Sequence, residues 1–181
     1  MKKVFVCAGS DLPKNQKIIK QAQILGKILA QSNCIYAQGG SANGLMGASL
    51  QEFIKYKKKD LEFFIPEKYF EYDTKDLIAL LGDNKGMYQK MRSESQRLEA
   101  IKQCDKIIVL PGGTGTIEEV LFCNETARSN EHQNEIILVN IDGFFDNLIK
   151  QIQTCIDFGF SNQNAIKLKI VNNVEEINLK V

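Results

Sequence analysis

Short apolar runs alternate with longer segments of helical periodicity along this chain, and no other feature constrains the fold as strongly. The apolar runs have the length of strands and are rich in β-branched residues, a pattern typical of buried strands. They lie at residues 3–8, 33–37, 61–65, 106–110, 136–140 and 166–171. Because helical segments separate them, the alternation predicts an α/β fold, with a parallel sheet and helices on both of its faces.

The predicted helices occupy the segments between the strands, where apolar residues recur at helical spacing. Their expected bounds are Pro13 to about Gln31, then residues 45–54, 75–81, 87–104, 117–129, 144–158 and 174–179. Pro13 suits the first turn of a helix. A chain of 181 residues has the size of one domain, so we expect residues 1–181 to form a single Rossmann-like doubly wound sheet.

Charge and composition exclude several classes of protein. The chain has 23 Lys and Arg against 22 Asp and Glu, a balance that provides no basic surface for nucleic acid or for an anionic membrane. No run approaches the roughly 20 apolar residues of a membrane span. The five widely spaced cysteines favour reduced, buried thiols in a cytoplasmic protein. The chain has one histidine, which disfavours a histidine-based catalytic triad or metal site. Neither a metal nor a cofactor is expected.

Three loops that follow predicted strands carry glycines. Ligands of such sheets bind at the carboxyl ends of the strands, so these loops are the expected binding region. The third loop, at residues 111–116, also opens a helix, and the amides of a helix N-terminus form an anion site. The candidate phosphate-binding residues of the three loops are Gly9, Ser10, Gly39, Gly40, Gly112, Gly113, Thr114, Gly115 and Thr116. A purely structural turn is the alternative for the third loop.

Glu118 and Glu119 are predicted to lie in the first turn of the helix that follows this loop. Carboxylates there favour the helix dipole, which is one interpretation. The other is that a carboxylate one turn above a phosphate site contacts a sugar hydroxyl or a water. The motif of a P-loop NTPase is absent, and the first loop lacks the glycine pattern of a dinucleotide-binding site.

The third loop, P-G-G-T-G-T-I-E-E, resembles the motif P-G-G-x-G-T-x-x-E of the LOG family. This family comprises the cytokinin riboside 5′-monophosphate phosphoribohydrolases, which are often mislabelled as lysine decarboxylases. Three further segments are similar to family motifs in the same order: residues 7–10, residues 39–48, and residues 140–145 with Gly159-Phe160 after the next helix. The resemblance therefore extends along nearly the whole chain.

The resemblance implies hydrolysis of the N-glycosidic bond of a nucleoside 5′-monophosphate, either AMP or a cytokinin riboside monophosphate, to free base and ribose 5-phosphate. It implies that Glu119 acts in catalysis together with an arginine. It further implies a homodimer with its sites near the interface and a place in cytokinin biosynthesis. The balanced charge predicts no nucleic-acid or membrane partner.

The chain departs from the family at the Arg-Lys pair that precedes the fourth major strand. Counting back from Asp105, the two positions are Gln96 and Arg97, whereas the run M-Y-Q-K-M-R, ending at Arg92, resembles the family's M-H-x-R-K on a longer helix. Arg97 and Arg92 are therefore rival candidates for the catalytic arginine, and Arg97 is preferred. A solvated charge on a helix is the alternative for each of them.

Three other functions compete with hydrolysis. A nucleotide-binding carrier or sensor of the same fold is supported by the altered Arg-Lys pair. A decarboxylase that uses pyridoxal phosphate is disfavoured, because the chain is short and no lysine lies in an evident cofactor site. A DNA-processing protein is disfavoured by the balanced charge.

Overall fold

The central strand of the sheet is β1 (Lys2–Cys7). The next three strands in the sequence lie on one side of it, and the last three lie on the other side. A computed structural model describes residues 1–57, 59–82 and 86–179. In this part of the chain, seven parallel strands form one sheet in the order β4-β3-β2-β1-β5-β6-β7. The other strands are β2 (Cys34–Gln38), β3 (Leu61–Pro66), β4 (Gly86–Met91), β5 (Lys106–Val109), β6 (Glu135–Val139) and β7 (Leu168–Val171). The strand order reverses between β1 and β5, so their carboxyl ends open a crevice at the switch point.

Helices cover both faces of the sheet, as the doubly wound prediction requires. They are α1 (Gln16–Ala30), α2 (Gly44–Tyr56), α3 (Phe70–Leu81), α4 (Glu94–Lys102), α5 (Thr114–Arg128) and α6 (Asp146–Asp157). Alternate side chains of β1 point to opposite faces of the sheet and so belong to two different core layers. Val4 and Val6 face the core that contains α1, α2 and α3, while Phe5 and Cys7 face the core that contains α4, α5 and α6. The predicted α/β fold is confirmed.

The single helix predicted over residues 87–104 is wrong. The first half of this segment is β4, which pairs with β3, and the second half is α4. β4 lies at the edge of the sheet, where Met87 is exposed and Tyr88 stacks on Phe63 with ring centroids 5.5 Å apart. An edge strand does not need the continuous apolar run that is typical of the central strands, so the composition of this segment does not identify it as a strand.

Two helix starts also differ from their predicted positions. α1 begins at Gln16 and not at Pro13, because the Asn15 side chain accepts a hydrogen bond from the Lys17 amide at 2.9 Å and caps the helix. α5 begins at Thr114, three residues before the predicted start. Glu118 and Glu119 therefore lie in its second turn, which removes the interpretation of both residues as partners of the helix dipole.

Smaller elements differ in length or type. The helix expected at residues 75–81 begins earlier, at Phe70, and follows a 3-10 turn at Glu67–Tyr69. The last predicted helix is a 3-10 turn at Val174–Glu176. Among the described residues, no helix is long and apolar enough to cross a membrane. Four of the five cysteines are buried, as predicted, and Cys155 is partly exposed.

Candidate functional site

A cleft of about 1140 Å³ opens at the carboxyl ends of β1, β2, β3 and β5, at the switch point of the sheet. Each of the three predicted loops contributes to its lining. The predicted residues that line it are Gly9, Ser10, Gly39, Gly113, Thr114, Gly115, Thr116, Arg97 and Glu119. The fold therefore gathers most of the candidate residues, which lie far apart in the sequence, around one concave surface.

The N-terminus of α5 forms one wall of the cleft. Gly113 is the N-cap residue of α5 and makes no side-chain capping bond. A Cβ atom added at Gly113 or Gly115 would meet nothing within 4 Å, so the backbone there is open to a ligand. The exposed amide end of a fifteen-residue helix offers donors and a favourable dipole to an anion.

Gly112 and Gly40 do not line the cleft but allow the chain to pack beneath it. A Cβ atom on Gly112 would lie 2.2 Å from the hydroxyl of Thr116 and 2.8 Å from the backbone nitrogen of Gly9. Gly40 has a φ of +107°, and its Cβ atom would lie 2.5 Å from Cγ1 of Ile65. These two glycines have a structural role in the described structure, whereas Gly113 and Gly115 present open backbone.

Alanine substitutions should separate these two roles. We expect Gly113→Ala to keep its free energy of unfolding within about 1 kcal/mol of wild type, since its φ of −81° suits alanine. The added methyl group would occupy the space in front of the open amides, so affinity for inorganic phosphate should fall about tenfold or more.

Gly112→Ala should instead lower the unfolding free energy, by about 1 to 3 kcal/mol, because its methyl group meets backbone and the Thr116 side chain. Urea unfolding and phosphate titration by calorimetry measure the two effects. A Gly113→Ala protein that binds phosphate as tightly as wild type would argue against an anion site here.

A buried ion pair lies at the inner wall of the cleft. Arg97 of α4 donates from Nη1 to Oε1 of Glu119 on α5, and both side chains are about nine-tenths buried. Arg97 also donates from Nε to Oε1 of Glu94 at 2.6 Å. A Cβ atom at Gly39 would lie 3.6 Å from Nη1 of Arg97, so the loop after β2 packs close to the guanidinium group.

Burial and charge act in opposite directions on this pair. Burial raises the pKa of Glu119, while the positive charge of Arg97 and a hydrogen bond from the Cys7 thiol oppose the rise. Burial lowers the pKa of Arg97, but the carboxylates of Glu119 and Glu94 outweigh it and raise that pKa. The net effect raises the pKa of Glu119 from its ordinary value, beside a permanently charged guanidinium group.

The two candidate arginines occupy different environments. Arg92 lies in the turn between β4 and α4, where it is exposed, and its backbone amide donates to the Gln96 side chain at 2.7 Å. It is not among the residues that line the cleft, whereas Arg97 is. The two do not belong to one helix, because Arg92 follows the edge strand β4 and precedes the first residue of α4.

Another part of the cleft lining comes from the segment that follows β3. Tyr69 and Tyr72 line the cleft with about half and two-thirds of their surface exposed, and Asp73 lies beside them. Lys68 places its ammonium group 4.7 Å from the ring centroid of Tyr69. Burial, followed by the charge of Asp76, raises the pKa of Asp73. This wall offers exposed aromatic faces and a carboxyl group.

Several residues of the site were not predicted from the sequence, including Lys68, Asp73 and Glu94. Glu94 holds Arg97 from three positions earlier on the same helix, and that spacing on a correctly placed α4 would have indicated the pair. Cys7 was predicted to be a buried thiol at the start of the segment that resembles the family's first loop, and it is buried at the end of β1. In the described part of the chain, no group of three or more His, Cys, Asp or Glu residues is arranged to hold a metal ion.

Comparisons with known proteins show the family and the fold of this chain. A family model described as "Possible lysine decarboxylase" matches residues 30–180. The chain is 27% identical to cytokinin riboside 5′-monophosphate phosphoribohydrolase LOG7 of Arabidopsis thaliana, over 92% of this chain and 74% of that protein. It is 30% identical to the probable phosphoribohydrolase LOGL2 of Oryza sativa subsp. japonica, over 91% of this chain and 65% of that protein.

Solved structures share the same fold. The molybdenum cofactor binding protein from Rippkaea orientalis superposes with a TM-score of 0.65, covering 97% of this chain and 92% of that chain at 18% identity. At that identity the likeness concerns the fold alone.

Proposed function

Since this chain belongs to the LOG family, whose family model bears the decarboxylase description, we propose that it is a nucleoside 5′-monophosphate phosphoribohydrolase. It hydrolyses the N-glycosidic bond of its substrate and releases free base and ribose 5-phosphate. The observation that carries the proposal is the buried Arg97–Glu119 pair at the inner wall of a cleft that also contains an open helix N-terminus. The printed names of the plant relatives support the reaction class.

The phosphate group binds at the N-terminus of α5. Among the side chains that line the cleft, carboxylates outnumber cations: Asp11, Asp73, Glu94, Glu118 and Glu119 against Lys68 and Arg97. Arg97 is already bound to two of these carboxylates. An anionic substrate therefore depends on backbone amides and on the hydroxyls of Thr114 and Thr116. The phosphate therefore binds where these donors lie, at the N-terminus of α5.

Glu119 acts on the ribose. Cleavage of the glycosidic bond builds positive charge on the sugar ring in an oxocarbenium-like transition state. A buried carboxylate stabilises that charge more strongly than an exposed one, because little water screens it. Glu119 also accepts a proton from the attacking water, and its raised pKa brings it closer to the working pH of a general base.

Arg97 holds Glu119 in its reactive state. The guanidinium group favours the ionised form of Glu119 and so opposes the effect of burial. Glu94 accepts a second hydrogen bond from Arg97 and fixes the orientation of the guanidinium group. We assign the catalytic arginine to Arg97 and not to Arg92. The base lies toward Tyr69 and Tyr72, whose exposed rings suit stacking on a planar heterocycle.

A panel of substrates tests the proposal. The purified protein is incubated with AMP, GMP, CMP, UMP and N6-isopentenyl-AMP, and free base is followed by chromatography while ribose 5-phosphate is measured separately. Equal amounts of the two products are expected from at least one nucleotide, without added cofactor. Binding of a nucleotide with no release of base would instead select the carrier or sensor, which the altered Arg-Lys pair favours.

Assembly and location remain predictions. A homodimer is supported by aromatic residues at the end of α6 and just after it, where Phe158 and Phe160 are three-quarters or more exposed. A cytoplasmic location is supported by the burial of four cysteines. AMP and a prenylated adenine nucleotide are both candidate substrates, and a role in cytokinin biosynthesis depends on the second.

A further inference from the structure

Asp73 differs from every other acidic residue that lines the cleft. It is half-buried, and its carboxylate accepts no hydrogen bond and forms no ion pair within the described part of the chain. By contrast, Glu94 and Glu119 are bound to Arg97, and the remaining two acidic side chains of the cleft are exposed to solvent. A carboxylate that is partly withdrawn from water and has no donor costs free energy. A ligand that brings a hydrogen-bond donor to Asp73 therefore gains affinity.

Two aromatic rings belong to the same turn of chain as this carboxylate. Tyr69 precedes Tyr72 by three positions and Asp73 by four, the spacing that places side chains on one face of a helix. Both rings are at least half exposed, and both line the cleft together with Asp73. A planar ligand can therefore stack on a ring while a group at its edge reaches the carboxylate.

Neighbouring donors are engaged elsewhere. Lys68 places its ammonium group 4.7 Å from the ring centroid of Tyr69. The side-chain amide of Asn43, which also lines the cleft, donates to Asp76 on the next turn of α3 at 3.5 Å. Asp73 thus remains a free acceptor in this part of the lining, whereas the N-terminus of α5 presents donors. A ligand that suits both carries an anionic group and, on a planar ring, a hydrogen-bond donor.

We propose that Asp73 is a specificity-determining residue that accepts a hydrogen bond from an exocyclic amino group of the substrate base. This inference rests on the proposed function, which supplies a nucleoside 5′-monophosphate as the ligand. Amino groups of this kind occur on adenine, cytosine and guanine, and one N–H is enough to satisfy the interaction. A base whose exocyclic nitrogen carries no hydrogen leaves the half-buried carboxylate without a donor, so the cleft discriminates against it.

Two analogues of AMP test this role. N6-methyl-AMP keeps one N–H on its exocyclic nitrogen, and N6,N6-dimethyl-AMP keeps none. In wild type, kcat/KM should be about tenfold or more lower for the dimethyl analogue, because the lost hydrogen bond leaves a charged acceptor without a partner. Equal values of kcat/KM for the two analogues would overturn the proposal.

Three variants separate the hydrogen bond from simple crowding by the second methyl group. Asp73→Leu occupies a similar volume without an acceptor, so its kcat/KM values for the two analogues should agree within about threefold. Asp73→Asn retains a carbonyl oxygen and should restore part of the preference. Glu71→Leu is the matched control, because it removes a carboxylate from the same helix at an exposed position outside the cleft lining, and its preference should equal that of wild type. A full preference in Asp73→Leu would show that crowding decides and would overturn the proposal.

A binding measurement distinguishes failure of this proposal from failure of the proposed function. Calorimetric titration of the Glu119→Gln protein gives the dissociation constants of both analogues without turnover. The monomethyl analogue should bind about tenfold or more tightly than the dimethyl analogue, and adding Asp73→Leu should remove the difference. If this holds while wild type releases no base from any nucleotide, hydrolysis fails and the role of Asp73 stands. If wild type releases base but binds and cleaves both analogues equally well, the role of Asp73 fails and hydrolysis stands.

Discussion

Glu119→Gln should lose base release by a factor of about 10² to 10⁴ while the protein still binds phosphate. The amide has nearly the same shape as the carboxylate, but it carries no charge to stabilise the oxocarbenium-like sugar and accepts no proton from water. The α5 N-terminus is untouched, so the dissociation constant for ribose 5-phosphate should stay within a few-fold of wild type. Single-turnover base release and calorimetric titration measure the two quantities.

Glu118→Gln is the control for this experiment. Glu118 immediately precedes Glu119 on the same helix and also lines the cleft, but its side chain is exposed. The substitution removes the same charge at a solvated position and should keep most of the wild-type rate. Comparable losses in both variants would show that overall charge matters and not the buried carboxylate. Full activity in Glu119→Gln would exclude the assigned mechanism.

Arg97→Met should destabilise the fold by about 3 to 5 kcal/mol at neutral pH, because it leaves the Glu119 carboxylate buried without its cation. The double variant Arg97→Met/Glu119→Gln should recover part of that loss, since its buried amide carries no charge. Urea unfolding of wild type, both single variants and the double variant gives the coupling energy of the pair.

The loss should depend on pH in a defined direction. Without Arg97, the pKa of Glu119 rises further above its unfolded value, so the folded protein holds a proton that the unfolded chain releases. The stability that this proton contributes is present at acid pH and disappears as pH rises through the folded pKa. Arg97→Met should therefore lie closest to wild type near pH 5 and furthest below it near pH 8.

Arg128→Met serves as the matched control for the arginine. Arg128 pairs with Glu125 at the surface of α5, where water screens the interaction. It should show little change at either pH. An Arg97→Met variant as stable as Arg128→Met at pH 8 would mean that Glu119 is neutral in the wild-type protein.

The strands buried on both faces were predictable within about two residues, because a continuous apolar run has few other uses in a soluble protein. β1, β3 and β5 are examples. The edge strand β4 was not predictable in this way, since its pairing with β3 and not its composition decides its conformation. A signal for the start of α4 was present: the Ser93 hydroxyl accepts from the Gln96 amide at 3.1 Å, the S-x-x-Q pattern of a capped helix.

The residues of the site also differ in whether the sequence alone could predict them. The glycine loop and Glu119 follow from a local motif, which a sequence displays directly. Arg97 lines the cleft and Arg92 does not, a difference that depends on where α4 begins. Such placement arises from tertiary structure, and one sequence holds no local record of it.

The two ends of the cleft are built from separate stretches of chain. Arg97 and Glu119 belong to α4 and α5, whereas Tyr69, Tyr72 and Asp73 belong to the segment after β3. On the proposed function, base selectivity and bond cleavage therefore depend on separate stretches of chain. Substitutions at Tyr69 or Tyr72 should change which base is accepted and leave the Arg97–Glu119 ion pair in place.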